Sequence, residues 1–475
     1  YKYFKLLLHS KLCSKYKFPM DFKFGAASSA YQIEGAWNVS GKGENFWDRL
    51  IHTRPEVIVD RTNGDVACDS YYLWERDIEI VEELGLDMYR FSLSWTRLLP
   101  TGYPNVINED GKRYYNNLID GLLAKGIEPL ITIYHNDLPQ SLQDLGGWAN
   151  PLIVDWYVDY AAVVFSLFAD RVKLWLTLNE PVGICEFGYH NLGAPFLMDP
   201  DTGRYLCNRH TLLAHARAYR LYQEMYKDKY NGKLPLILIS LPNDELLSWT
   251  GRYSHAIFSP EGGWPKDLQN FLSECDKRDG FIRPRLPPFT PEEVKLIKGT
   301  YDFYGLNHYT TRLIRKVKSD EKPGVWPLSG WEELNVVMEN HPSWKTTSIY
   351  PQGLRNQLKW IHQNYGVKEI IITENGMLSE DPTLADTERV EYIRDYLEQV
   401  LLAIHEGVPV TGYTAWTLMN NFEWLSGYSI RYGLYSVDFN DSNRTRTPRE
   451  SARFYASITK SRTLHTKNDN LVDIL

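Results

Sequence analysis

Cysteine is scarce in this sequence. Its 475 residues include five, Cys13, Cys68, Cys185, Cys207 and Cys275, with no Cys-x-x-Cys pair. So sparse and odd a set is no disulfide framework and offers no thiolate zinc site. A single Cys185–Cys207 bridge stays open to a chain that enters an oxidising compartment. No run of about 18 apolar residues occurs, so no membrane-spanning helix is expected. Gly/Ser and Pro-rich linkers, blocks of like charge and short-period repeats are also missing, which argues against a string of tethered modules or a solenoid. Positive charge is in deficit, with 52 Lys and Arg against 60 Asp and Glu, for a net charge of −8. A nucleic-acid partner usually needs a basic face, and this balance argues against one.

Apolar and aromatic residues are plentiful. Hydrophobic residues make up 43% of the chain and aromatic ones 14%, with 15 Trp and 32 Tyr. Most such rings must lie in a core. Flat rings also suit the apolar C–H faces of pyranoses, so a sugar ligand is one reading of the tryptophan count.

Eight short β-rich runs alternate with longer helical patterns. The runs are 22–27, 87–93, 129–134, 173–179, 234–240, 303–307, 369–374 and 411–416. Amphipathic helices are expected over 77–84, 114–124, 152–168, 211–226 and 389–405, the last with Asp386 as its N-cap. Alternation of this kind predicts parallel βα units closed into a single α/β (β/α)₈ TIM barrel over residues 16–462. Residues 1–15 read as an N-terminal extension carrying the remnant of an export signal, and 463–475 as a tail. Together with sequons at Asn38, Asn440 and Asn443, this points to a secreted rather than a cytoplasmic protein. A homodimer is compatible with the sequence.

Barrel chemistry gathers at the C-terminal ends of the strands. The fourth run ends in Asn179-Glu180-Pro181 and the seventh in Thr373-Glu374-Asn375-Gly376. Each places a carboxylate where a strand stops. Arg90 lies in the Tyr89-Arg90-Phe91-Ser92 end of the second run, His135 follows the third and Trp416 closes the eighth, followed by Glu423-Trp424. Singly, each has a plainer reading: a solvated loop charge, a core histidine, a structural ion pair. Together they fit the cleavage of a glycosidic bond, which needs one carboxyl to protonate the leaving oxygen and another to attack carbon or activate water.

Those motifs resemble glycoside hydrolase family 1, the β-glucosidase family, in wording like its insect β-glucosidase and myrosinase-like members. Phe24-Gly25-Ala26-Ala27, Arg90-Phe91-Ser92, Asn307-His308-Tyr309 and Asn421-Phe422-Glu423-Trp424 share in the resemblance, which runs from about residue 18 to 460. It implies a retaining β-glycosidase acting on terminal non-reducing β-D-glucosyl residues. Glu180 would be the acid/base and Glu374 the nucleophile, 374 − 180 = 194 positions apart in sequence but ~5–5.5 Å in space. Arg90 and Tyr309 would steady the nucleophile. Asn179, Gln32, His135 and Glu423 would bind sugar hydroxyls, with Trp416 as platform and Trp424 on the wall. The partner would be a small-molecule β-glycoside, and no metal or organic cofactor is implied.

Three departures from the family stand out. Asn136 replaces a Trp beside His135, Asn420 replaces an Asp and so removes a charge near the pocket, and the stretch after Ser240 is short. Two other activities stay open. One is a thioglucosidase, because Glu180 rules out only the plant-type Gln. The other is a sugar-binding homologue with weakened catalysis.

Overall fold

A computed structural model describes residues 17–191, 200–234, 237–239, 250–311, 313–318, 320, 336–339 and 349–464. The N-terminal extension, the tail beyond 464 and the short stretch after Ser240 lie outside the described residues. So do residues 192–199, 321–335 and 340–348.

Eight strands form one parallel sheet: β1 (Lys23–Ala27), β2 (Met88–Ser92), β3 (Glu128–Tyr134), β4 (Leu174–Leu178), β5 (Ile237–Ile239), β6 (Tyr304–Asn307), β9 (Ile370–Asn375) and β10 (Val410–Trp416). Between β6 and β9 come β7 (Leu313–Lys316) and β8 (Val336–Glu339), an antiparallel pair separate from the barrel sheet. The barrel strands run in the order β4-β3-β2-β1-β10-β9-β6-β5. A parallel bridge from Leu174 to Lys233, the latter just ahead of β5, brings the two ends of the sheet together. This is a TIM barrel, with helices between its strands. The fifth predicted run, 234–240, is described only in part, with Ile237–Ile239 as strand.

The strands read as near-continuous apolar runs because both faces are buried. Alternate residues divide between two layers. Tyr89, Phe91, Ile131, Ile133, Trp175, Ile370 and Ile372 face outward into the large core shared with the helices. Met88, Leu130, Leu174, Leu176, Phe303 and Ile371 form a separate apolar cluster. Two residues beyond Met88, Leu130 and Ile371, towards the C-terminal ends, stand Arg90, Thr132 and Thr373, all fully buried. The same register therefore stacks a polar layer on an apolar floor.

The helices follow the amphipathic patterns but start earlier in four of the five cases, at Ser70–Glu83, Glu109–Ala124, Pro200–Met225 and Thr387–His405. Asp386 does precede the helix Thr387–His405, but its side chain does not cap it. It accepts hydrogen bonds instead from the backbone N–H and hydroxyl of Ser451 at 2.9 and 2.6 Å, tying this helix to Glu450–Ser461. Among the described residues no helix is long and apolar enough to cross a membrane.

Candidate active site

A cavity of about 200 Å³ opens at the C-terminal ends of the strands. Its walls include His135, Asn179, Glu180, Tyr309, Glu374, Trp416, Glu423 and Trp424. Eight of the ten residues singled out from the sequence thus meet in one pocket. The other two stand close behind it.

Arg90 is one of these. Its guanidinium is fully buried and donates to Glu374 Oε1 (2.5 Å), the Thr373 carbonyl (2.8 Å), Asn179 Oδ1 (2.8 Å) and Thr132 Oγ1 (3.1 Å). These hydrogen bonds fix the guanidinium plane, so a permanent positive charge faces Glu374. The Tyr309 hydroxyl donates to the other oxygen of Glu374, and burial beside two carboxylates drives this phenol well above its ordinary pKa. Tyr309 therefore stays a donor across the working pH range.

Glu180 is placed differently. It receives the Asn307 amide at 2.7 Å and has no guanidinium of its own. Burial, and then the negative charge of Glu374, push its pKa up to about 8, against weaker opposition from Asn307 and Arg90. Glu423 is raised to about 8 in the same way, by burial and then by Glu374. Three carboxyls thus share one pocket with the Arg90 guanidinium, and the two pushed upward are Glu180 and Glu423, each by burial and then by Glu374.

Gln32 stands behind Glu423, not on the pocket wall. Its amide N–H groups go to Glu423 Oε2 (3.3 Å), the Phe422 carbonyl (2.9 Å) and Asn421 Oδ1 (3.0 Å), while its oxygen accepts from Ser29 (2.6 Å). It orients the Glu423 loop. Asn179 Oδ1 accepts from Arg90 and Asn307, and its amide lies 3.1 Å from His135 Nε2. Burial, and then Arg90, hold the His135 pKa well below its ordinary value, so the ring is neutral. That ring lies nearly parallel to Trp416 (5.9 Å, 14°) and Trp424 (6.0 Å, 16°).

The backbone here is unusual. Asn136, Glu180 and Trp424 all have positive φ, at 61°, 45° and 51°. Asn tolerates this region, whereas Trp and Glu adopt it only when their surroundings hold them there. Trp424 is packed by Trp47 at 5.0 Å and Tyr31 at 6.3 Å, and Trp47 also donates to the Asn136 carbonyl at 2.8 Å. Just past Glu374, a Cβ on Gly376 would stand 1.9 Å from the Trp416 carbonyl, so only glycine lets the two strand ends close up.

The sequence reading gave no role to Asn307, although it lies in a quoted motif. Its position at the end of β6, in register with Glu374 on β9, was the available signal. Tyr432 also lines the pocket and was missed, because it comes from a loop well past β10. Asn420 is not among the pocket-lining residues; its side-chain oxygen accepts from the Gly433 N–H at 3.1 Å. Among the described residues no three His, Cys, Asp or Glu side chains are gathered as a metal site.

This geometry has relatives. The sequence profile of glycosyl hydrolase family 1 matches residues 14–464. The chain belongs to glycosyl hydrolase family 1. Within the family it is 43% identical to Myrosinase 1 of Brevicoryne brassicae over 93% of this chain and 98% of that protein. It is 40% identical to human lactase/phlorizin hydrolase over 92% of this chain, which corresponds to 24% of that longer protein. The solved aphid myrosinase superposes with a TM-score of 0.87 at 42% identity, covering 94% of this chain and 99% of that one. As a family 1 member the chain is a β-glycosidase by kinship.

Proposed function

We propose that this protein hydrolyses terminal β-D-glucosides with retention of configuration, with Glu374 as nucleophile and Glu180 as acid/base. The carrying observation is the contrast between the two carboxyls of one pocket. Glu374 faces Arg90 and the Tyr309 hydroxyl, whereas Glu180 is pushed up to about 8. Surroundings that differ so sharply between paired carboxyls mark the acid and the attacking group.

In the first step a Glu374 oxygen bonds to the anomeric carbon while Glu180 gives its proton to the departing oxygen. In the second, Glu180 takes a proton from water, and that water displaces Glu374. Retention requires a carboxyl separation of ~5–5.5 Å. Asn179, His135 and Glu423 would hold sugar hydroxyls against the Trp416 face, with Gln32 acting through Glu423. A 2-fluoro-glucoside should raise the intact mass by one glycosyl unit, and Glu374→Ala should abolish the rise. An unchanged wild-type mass would favour a sugar-binding homologue without turnover.

A second reading is thioglucoside cleavage, favoured by the kinship to the aphid Myrosinase 1. Turnover of a glucosinolate beside an aryl β-glucoside separates the two. The Cys185–Cys207 disulfide supports a route through an oxidising compartment and hence secretion.

A further inference from the structure

Glu180 occupies a conformation that its own chain opposes. Its φ is 45°, and it directly precedes Pro181, which disfavours helical backbone in the residue before it. Strained residues persist only where the surrounding structure over-determines them. The anchors for Glu180 lie in the segment that follows.

The Glu180 carbonyl accepts the Ile184 N–H at 3.1 Å and leads into a π-helix, Gly183–Asn191. Gly183 and Ile184 line the pocket. The next two residues are tied to the neighbouring helix Pro200–Met225. Cys185 is bonded to Cys207, both fully buried. The Glu186 carboxylate, 1% exposed, is held by Arg204 (3.3 Å), Asn208 (3.3 Å) and Arg252 (3.1 Å). Arg204, Cys207 and Asn208 share one face of their helix at spacings of three and four. Tyr253 donates to Asn208 at 2.5 Å and lies 3.9 Å from the Cys185 sulfur.

We infer that the Cys185–Cys207 bridge and the buried Glu186 ion cluster form a clamp whose role is to position Glu180 as proton donor. The inference rests on the acid/base reading of Glu180. Cys185, Cys207 and Glu186 touch no reacting atom on this view. They act by fixing the turn that carries the carboxyl.

Leaving-group dependence tests it. From a 2,4-dinitrophenyl β-glucoside the dinitrophenolate departs without proton donation, whereas the alkoxide of an alkyl β-glucoside needs the acid. General acid catalysis contributes about 10²–10⁴-fold to the latter. In the Cys185→Ala/Cys207→Ala protein and in Glu186→Gln, kcat/KM for the alkyl glucoside should fall about ten-fold or more, while the dinitrophenyl value holds within about two-fold. Rates are normalised to sites titrated by a 2-fluoro-glucoside, so that misfolded protein is not counted. Parallel loss on both substrates, or no loss on either, overturns the inference. Glu180→Ala serves as the reference. If it fails to spare the dinitrophenyl substrate, the acid/base reading itself is wrong, whatever the clamp variants do.

Discussion

The Asn307 side chain spans the two halves of the candidate site: its amide donates to Glu180 at 2.7 Å while its oxygen accepts from Thr373, the neighbour of Glu374, at 2.7 Å. The same amide also reaches Asn179 Oδ1 at 3.3 Å, and Asn179 in turn accepts from Arg90. One amide on β6 thus links Glu180, just past β4, to the neighbour of Glu374 on β9.

Replacing that amide should therefore separate position from charge. Its hydrogen bond lowers the Glu180 pKa, so Asn307→Ala should move the alkaline limb of kcat/KM to higher pH. The rate itself should fall by about ten-fold or more, since a lost positioning contact is felt in the transition state. A pH–rate profile of the variant checks both, and an alkaline limb moving to lower pH would contradict the assignment.

The wild-type pH dependence follows from the same group. Glu180 must be protonated to serve as acid, and its pKa is raised to about 8. Activity on substrates with poor leaving groups should hold through neutrality and decline as the pH passes about 8. Because Glu423 titrates in the same range, the limb belongs to the coupled pair.

Stability should follow the same titration. A carboxyl with a raised folded pKa is favourable to the fold when protonated. That contribution is complete below the unfolded value near 4.3 and is lost as pH rises through the folded value of about 8. Glu180→Gln should thus raise the Tm at pH 8 while leaving it nearly unchanged at pH 4. Calorimetry at the two pH values measures the difference.

Removing the phenol of Tyr309 tests the nucleophile side. Tyr309→Phe keeps the ring, edge-to-face with Tyr432 at 5.7 Å, and deletes only the donor to Glu374. We expect kcat to fall by about 10²-fold, comparable to losing one preorganised donor, with little change in Tm. An unaltered kcat would remove Tyr309 from the machinery.

Asn136 bears on the sugar. It lines the pocket with φ of 61°, its carbonyl pinned by Trp47. Restoring the family's ring with Asn136→Trp should change the ratio of kcat/KM for glucoside and galactoside by about ten-fold, the size of one pocket contact. Equal ratios in both proteins would show that the substitution is neutral for sugar choice.

The barrel and both carboxyls were legible in the sequence because strand ends are local: Asn179-Glu180-Pro181 and Glu374-Asn375-Gly376 mark where a β-run stops and a breaker follows. Partnership across the barrel was not. That Gln32 meets Glu423 depends on how a segment near residue 30 meets one near 420, and no periodicity carries that. The tie between Asn420 and the Gly433 N–H is of the same kind, a contact across a loop that sequence neighbours do not announce. Nor can local pattern show that Glu180 sits at positive φ, because the cause lies in a helix twenty and more residues downstream.

Among the described residues, the apolar floor of Met88, Leu130, Leu174, Leu176, Phe303 and Ile371 closes the barrel beneath the pocket. Traffic must then be last in, first out. Under the proposed mechanism the aglycone enters behind the sugar and must clear the mouth before water can reach the anomeric carbon. The sugar is the final product to leave. Any alcohol waiting at that mouth competes with water for the glycosyl group, so added methanol should divert a share of the turnover into methyl glucoside.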